Sequence, residues 1–234
     1  MTLYRALLRL LTTRGRLLAM GALGFIAILL AIAVRGASAD NRPEAAFRLI
    51  NAYGLSVLIP VVSLVFASAA LGDPTEDGTL VYLWLRPVPR WRLAVTAALA
   101  ALTVSIPVAV VPVVVASIIT GIGTRFVLGN VAGALVSAVG YTAVFTGLGL
   151  RVRRALGWGL AYLVIWEGAV ARIAKAAARL SISVTSATIT SRIAKHNPLP
   201  RNAMSMPIAI AFPIIVVIVA LVLTTRSLDR GEIA

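Results

Sequence analysis

The sequence predicts an all-α, polytopic membrane protein, because of its composition, its long apolar runs and the placement of its arginines. Of its 234 residues, 60% are apolar and 13% are charged, and the mean hydropathy is +0.97. A soluble domain has about 25% charged and about 45–50% apolar residues, so this composition excludes most soluble classes. It also excludes disorder, which requires low hydrophobicity. We therefore expect residues 1–234 to form a single transmembrane domain.

Six stretches are long and apolar enough to predict transmembrane helices, each of which needs about 20 such residues. They are residues 17–34, 52–71, 93–120, 126–150, 155–170 and 207–225. The third contains Pro107 and Pro112, each of which removes a backbone hydrogen bond, so we expect it to tilt or kink. The fifth is the shortest, and we expect its outer end near Glu167.

The first span also resembles the apolar part of a signal peptide, since arginines precede it and small residues follow at 37–39. Its 18 apolar residues exceed the usual signal-peptide length of about 7–15. We favour an uncleaved first span.

The arginines predict that both termini lie in the cytoplasm, because cytoplasmic loops carry an excess of positive residues. Twelve fall in segments then placed inside: Arg5, Arg9, Arg14, Arg16, Arg86, Arg90, Arg92, Arg151, Arg153, Arg154, Arg226 and Arg230. Only four fall in the two short outer loops: Arg35, Arg42, Arg48 and Arg125. The segment 171–206, then extracellular, holds six further basic residues and argues against this orientation. The net charge of +14 thus indicates membrane topology and no nucleic-acid partner.

Residues 72–92, between the second and third spans, predict a short cytoplasmic helix. Asp73 suits its N-cap, Pro74 its first position, and Glu76 the third position after the cap. An apolar face at helical spacing follows, formed by Leu80, Leu83 and Trp84. Arg86 precedes a proline and should end the element. Such a helix suits docking of a soluble partner, although a solvated loop resting on lipid fits the same residues.

The motif in this segment is Glu76-Asp77-Gly78-Thr79-Leu80, followed by Arg86-Pro87-Val88-Pro89-Arg90. It resembles the acidic-Gly-Thr-Leu…Arg-Pro-Val-x-Arg pattern after the second span of ABC-2 type permeases, the membrane subunits of ATP-binding-cassette exporters. The six-span layout extends the resemblance over most of the chain.

The resemblance implies that residues 72–92 form the coupling helix, which seats in a cleft of the ATPase subunit. The residues it assigns to ATPase coupling are Asp73, Glu76, Asp77, Gly78, Thr79, Leu80, Arg86 and Arg90. Arg86 and Arg90 would brace the loop near the membrane surface. The resemblance also implies an amphipathic interfacial helix within residues 1–16, for which a plain positively charged flank is the alternative.

The function implied is that of a permease subunit in a prokaryotic-type plasma membrane. Two copies of an ABC ATPase, carrying ATP and Mg, and a second identical or similar permease would be its partners, with membrane lipid around them. A non-transporting membrane scaffold, immunity or assembly factor is the competing hypothesis.

Small residues in the fourth span predict close helix packing, since Gly129 and Gly133 are one turn apart on one face. Glycine is common in spanning helices, so the partner helix is either in the same chain or in a dimer.

The residue inventory excludes several activities. The chain has no Gly-x-x-x-x-Gly-Lys-Ser/Thr loop for nucleotide phosphates. With no cysteine and only His196, common metal sites are not expected, and we expect no enzyme or cofactor site in this chain.

The charges inside the spans bear on the energy source. Apart from Glu167, no ionisable residue is expected deep in a span, which disfavours an ion-driven carrier. Glu167, beside Trp166, is a candidate substrate contact or intramembrane acid, but we favour a position at the interface, paired with Arg172 or another nearby base.

The basic segment 171–206 includes a Ser/Thr-rich run at residues 181–191. It is either a second small extracellular helix pair or a sign of misplaced span boundaries. Its basic charge could attract anionic lipid headgroups or an anionic substrate, but we favour a solvated face.

Overall fold

The structure, a computed structural model, describes residues 3–78, 89–170, 178–195 and 203–230. Within these ranges the chain forms helices and no strand, which confirms the all-α prediction. The helices are α1 (Leu3–Leu11), α2 (Arg14–Arg35), α3 (Arg42–Glu76), α4 (Arg90–Ile119), α5 (Thr124–Arg151), α6 (residues 155–170), α7 (Ile182–Ala194) and α8 (Met206–Arg230).

Five of the described helices are long and apolar enough to cross a membrane: α2, α3, α4, α5 and α8. They correspond to the first four predicted spans and the sixth. The fifth predicted span coincides with α6, whose 16 described residues are followed by residues 171–177, which lie outside the described part of the chain. The described residues thus support five spans, and the orientation of the termini stays a prediction.

The proline-containing helix α4 is regular at both ends and widens to i→i+5 hydrogen bonding at Ile106–Val110. The wide turns include Pro107 and end just before Pro112, where the sequence predicted a tilt or kink. Such widening relieves the missing proline hydrogen bonds. Pro112 also packs against α2, since a Cβ built on Gly24 would lie 2.8 Å from the Pro112 Cγ.

Helices α3 and α5 form the centre of the bundle, while α2 and α8 lie at its periphery. In the most apolar 18-residue stretch of each helix, 78% of the residues are buried in α3, against 17% in α2 and 11% in α8. The two central helices cross closely at Gly149 of α5, where an added Cβ would lie 2.7 Å from the Ser68 Cα of α3. Small residues on both helices therefore set this crossing.

A short helix, α1, does form within residues 1–16. Its Leu7 and Leu11 side chains are buried in the bundle, and the Tyr4 hydroxyl shares a 2.8 Å hydrogen bond with the Thr103 hydroxyl of α4. The apolar face of α1 thus packs against the other helices. Its position at the membrane surface stays a prediction.

The Ser/Thr-rich run 181–191 is buried, so the expectation of a solvated face is wrong for this run. It forms the start and most of α7, which packs along α5. Hydroxyls can be buried there because they bond backbone oxygens four residues earlier: Thr185 to Ser181, Thr188 to Val184 and Ser191 to Ala187. This internal satisfaction removes most of the cost of burying them.

Candidate functional site

The predicted coupling residues Asp73–Glu76 form the last turn of α3, so the helix start predicted at Asp73 is wrong. Helix α3 continues through Pro74 and ends at Glu76. A proline that close to the end removes one hydrogen bond, and the Thr75 hydroxyl bonds the Leu71 carbonyl at 2.7 Å. Gly72 packs against Gly149 of α5, since a Cβ added to Gly72 would lie 3.1 Å from the Gly149 oxygen. This packing holds the turn against α5. Tertiary packing therefore overrides the local capping signal.

Gly78 ends the helix. Its φ is +66°, a left-handed conformation that glycine adopts without steric cost, and its N–H donates to the Thr75 carbonyl at 3.3 Å. Asp77 is the C-cap, and its side chain is exposed. The described end of α3 thus presents an acidic side chain to solvent.

Asp73 links α3 to the start of α2. Its carboxylate lies 2.8 Å from the guanidinium of Arg16, and both side chains are about one third exposed (28% and 31%). An ion pair this accessible to solvent is screened and contributes little stability. The pair shows that the start of α2 lies beside the end of α3.

Glu76 links α3 to the turn between α5 and α6. Its carboxylate accepts a 3.2 Å hydrogen bond from the backbone N–H of Arg154, which has the left-handed φ of 60°. Arg154 is the N-cap of α6. The same end of the bundle also holds Arg151, whose guanidinium donates to Ser227 of α8 at 2.5 Å.

The structure therefore brings together part of the predicted coupling set. Asp73, Glu76, Asp77 and Gly78 lie side by side at the end of α3. Arg90 is the first residue of α4, after the N-cap Pro89. Thr79, Leu80 and Arg86 lie outside the described residues. Sequence reasoning missed the contacts of Asp73 with Arg16 and of Glu76 with Arg154, which are far apart in the chain.

The predicted packing glycines lie against α7 of the same chain. A Cβ on Gly129 would lie 2.6 Å from the Thr190 oxygen, and one on Gly133 would lie 2.9 Å from the Ser186 oxygen. The Thr190 hydroxyl also donates to the Gly129 carbonyl at 3.1 Å. The structure thus contains a helix of the same chain, α7, against which these glycines pack.

Glu167 is buried, with 4% of its surface exposed. Its position relative to the membrane surface stays a prediction. It contacts the first residues of α7, and Ile182 there packs 3.2 Å from a Cβ built on Gly140 of α5. Gly140 is about 24 Å along the helix from Thr124 and about 17 Å from Arg151, at about 1.5 Å per residue. Glu167 therefore lies at mid-depth in the bundle.

Four neutral donors hold the Glu167 carboxylate. The hydroxyls of Ser181 and Ser183 donate to Oε2 at 2.5 and 2.6 Å. The Ile182 N–H and the Tyr162 hydroxyl donate to Oε1 at 3.1 and 3.4 Å. The carboxylate thus satisfies the first N–H of a helix that begins inside the bundle, where water is scarce.

A sequence signal for this arrangement existed. Ser181 is an N-cap whose hydroxyl accepts from the Val184 N–H at 3.1 Å, and Ser/Thr at that position is typical of a helix start. Nothing in the local pattern placed Glu167 beside it, 14 residues earlier. Arg172, the partner predicted for Glu167, lies outside the described residues.

Comparison with known proteins gives one family match. The model of a family described as "ABC-2 family transporter protein" matches residues 12–156, well over half of the chain. These residues include the end of α3 and exclude Glu167 and α7. No curated protein and no solved structure matches the chain.

Proposed function

Because the chain belongs to the ABC-2 transporter family, we propose that it is the permease subunit of an ATP-binding-cassette exporter. A separate ATPase, in two copies, supplies the ATP hydrolysis, and a second permease completes the transmembrane pathway. The membrane is a prokaryotic-type plasma membrane, with both termini on the cytoplasmic side. The multi-pass character itself follows from five long apolar helices and the family.

The contacts at the end of α3 are the observation that carries the proposal. Asp73 joins this end to α2 through Arg16, and Glu76 joins it to the turn before α6 through Arg154. A partner that displaced the segment after Gly78 would therefore push on three parts of the bundle together. That is what a docking element must do if ATPase closure is to change the accessibility of a pathway.

Asp77 is the acidic residue best suited to contact the ATPase. Its side chain is exposed, whereas the side chains of Asp73 and Glu76 contact other helices of the chain. A substitution at Asp77 therefore changes the docking surface with the least effect on the fold.

The test is charge reversal at the two ends of α3. Asp77→Lys should lower ATP-driven transport and recovery of the ATPase with the permease, because a like charge across an interface is repulsive. The matched control is Asp40→Lys, which makes the same change at an exposed position beside the opposite end of α3. Both variants should reach the membrane in normal amounts.

Two outcomes contradict the proposal. Normal ATPase recovery and transport in Asp77→Lys would remove the docking role of this surface. Purification of the intact permease in mild detergent without any ATPase would favour the competing hypothesis, a non-transporting scaffold, immunity or assembly factor.

A further inference from the structure

Helix α5 carries buried polar side chains that have no hydrogen-bond partner among the described residues. They are Asn130, with both amide atoms, Ser137, Tyr141 and Thr142. Ser137 follows Asn130 by 7 residues, and Tyr141 follows Ser137 by 4. These three of the four therefore share one face of the helix. Because buried polar groups in proteins are nearly always hydrogen-bonded, three orphans on one face need an explanation.

Helix α7 packs beside this face and adds a further orphan. The hydroxyl of Ser186 also has no partner within the described chain. Its backbone oxygen lies next to Gly133, and Thr190 lies next to Gly129, so α7 follows α5 from its centre towards its Thr124 end. We call Asn130, Ser137, Tyr141 and Ser186 together the polar seam.

Glu167 lies at the inner end of the polar seam. Tyr141 lies near Glu167 and Ser183, yet its hydroxyl makes no hydrogen bond of ordinary geometry with either. No Lys, Arg or His among the described residues pairs with Glu167, which is held by hydroxyls and one N–H. Tyr141 and Tyr162 are the other titratable groups beside it, from α5 and its own helix.

We propose that the polar seam binds water, and that this water connects Glu167 to the aqueous phase at the Thr124 end of α5. Water fits because the orphan atoms include hydroxyls, an amide N–H and an amide oxygen, which water can serve as both donor and acceptor. A buried water needs two to four polar partners, and the seam offers hydroxyl and amide groups on both α5 and α7. The next residue on this face, one turn beyond Tyr141 and further from Asn130, is the apolar Phe145.

This proposal does not depend on an ATPase, so it can fail or stand independently of the proposed function. Its test uses the full chain in lipid nanodiscs. Hydroxyl radicals produced by X-ray radiolysis label aromatic side chains that adjoin water. The comparison is between Tyr141 and Phe145, which are both fully buried and stack with ring centroids 5.7 Å apart.

We expect severalfold faster labelling of Tyr141 than of Phe145 in the wild-type chain. Ser137→Ala should slow Tyr141 labelling severalfold, because it removes a polar group that holds water. The matched control is Ser117→Ala, since Ser117 is buried in α4 and already donates to the Val114 carbonyl. Equal labelling of Tyr141 and Phe145 would overturn the proposal, and this comparison needs no variant to fold.

Discussion

The two acidic regions of this molecule stabilise their carboxylates in opposite ways. At the end of α3, Asp73 and Glu76 remain partly exposed and contact an arginine side chain and a backbone N–H near solvent. In the centre of the bundle, Glu167 is buried and relies on serine and tyrosine hydroxyls and an N–H at the start of α7. Solvent screens the first set, whereas hydroxyls and an N–H of the protein satisfy the second.

The difference indicates which acidic residues stabilise the fold and which are available to contact a partner. Removing a partner of a buried charge leaves the other groups unsatisfied, which is costly. Removing a screened surface pair costs little, which leaves such residues free to serve a partner. Four experiments test where the stability lies, and they are taken from the largest expected effect to the smallest.

Glu167→Leu should destabilise the fold most. It leaves the hydroxyls of Ser181 and Ser183 and the Ile182 N–H without their acceptor, at about 1–3 kcal/mol for each buried unsatisfied group. The loss should appear as a lower thermal unfolding midpoint in detergent. Glu167→Gln, which keeps one acceptor oxygen, is the control and should lose less. Equal midpoints for Glu167→Leu and the wild type would show that the network contributes nothing.

Gly149→Ala should lower stability by about 1–3 kcal/mol, because the added Cβ meets the Ser68 backbone of α3. Gly157→Ala is the matched control, since nothing lies within 4 Å of its Cβ. Alanine is the better helix former by about 0.5–1 kcal/mol, so this control should be neutral or stabilising. Thermal unfolding of the two variants should therefore differ in sign. A shared sign would argue against the close α3–α5 crossing.

Gly78→Ala should cost about 1–2 kcal/mol, because an alanine at a φ of +66° is strained. Gly15→Ala in α2 provides the comparison, as that glycine has open space around it and no positive φ. Limited proteolysis after residue 78 should be faster in Gly78→Ala alone. Unchanged proteolysis would mean that the helix end tolerates another geometry.

The Arg16–Asp73 pair should show the smallest effect. A double-mutant cycle with Arg16→Ala and Asp73→Ala should give a coupling of about 0.2–1 kcal/mol, reduced by salt, because both side chains are about one third exposed. Thermal unfolding at low and high salt measures it. A coupling as large as the Glu167→Leu effect would contradict the contrast between the two regions.

Much of the fold could be predicted from the sequence because apolar runs and prolines act locally. The five long helices follow the apolar runs, and the widening in α4 includes Pro107 and ends two residues before Pro112. The helix start at Asp73 was predicted wrongly for the same reason. Its capping signal is local, while the packing of Gly72 on Gly149 that decides the outcome is not.

The buried site could not be predicted, because it depends on contacts between distant segments. Glu167 and Ser181 are 14 residues apart, and the burial of the Ser/Thr run depends on glycines of α5 some 55 residues earlier. Polar composition alone favours a solvated face, and only the close approach of α7 to Gly129 and Gly133 reverses that.

Site-specific cross-linking tests most directly whether an ATPase docks at the end of α3. The chain contains no cysteine, so Asp77→Cys and Asp40→Cys each create a single attachment point for a photoactivated maleimide probe. With the ATPase co-expressed and identified by mass spectrometry, we expect its adduct from position 77 and none from position 40. An ATPase adduct from position 40, or none from position 77 in a complex that hydrolyses ATP, would contradict the account.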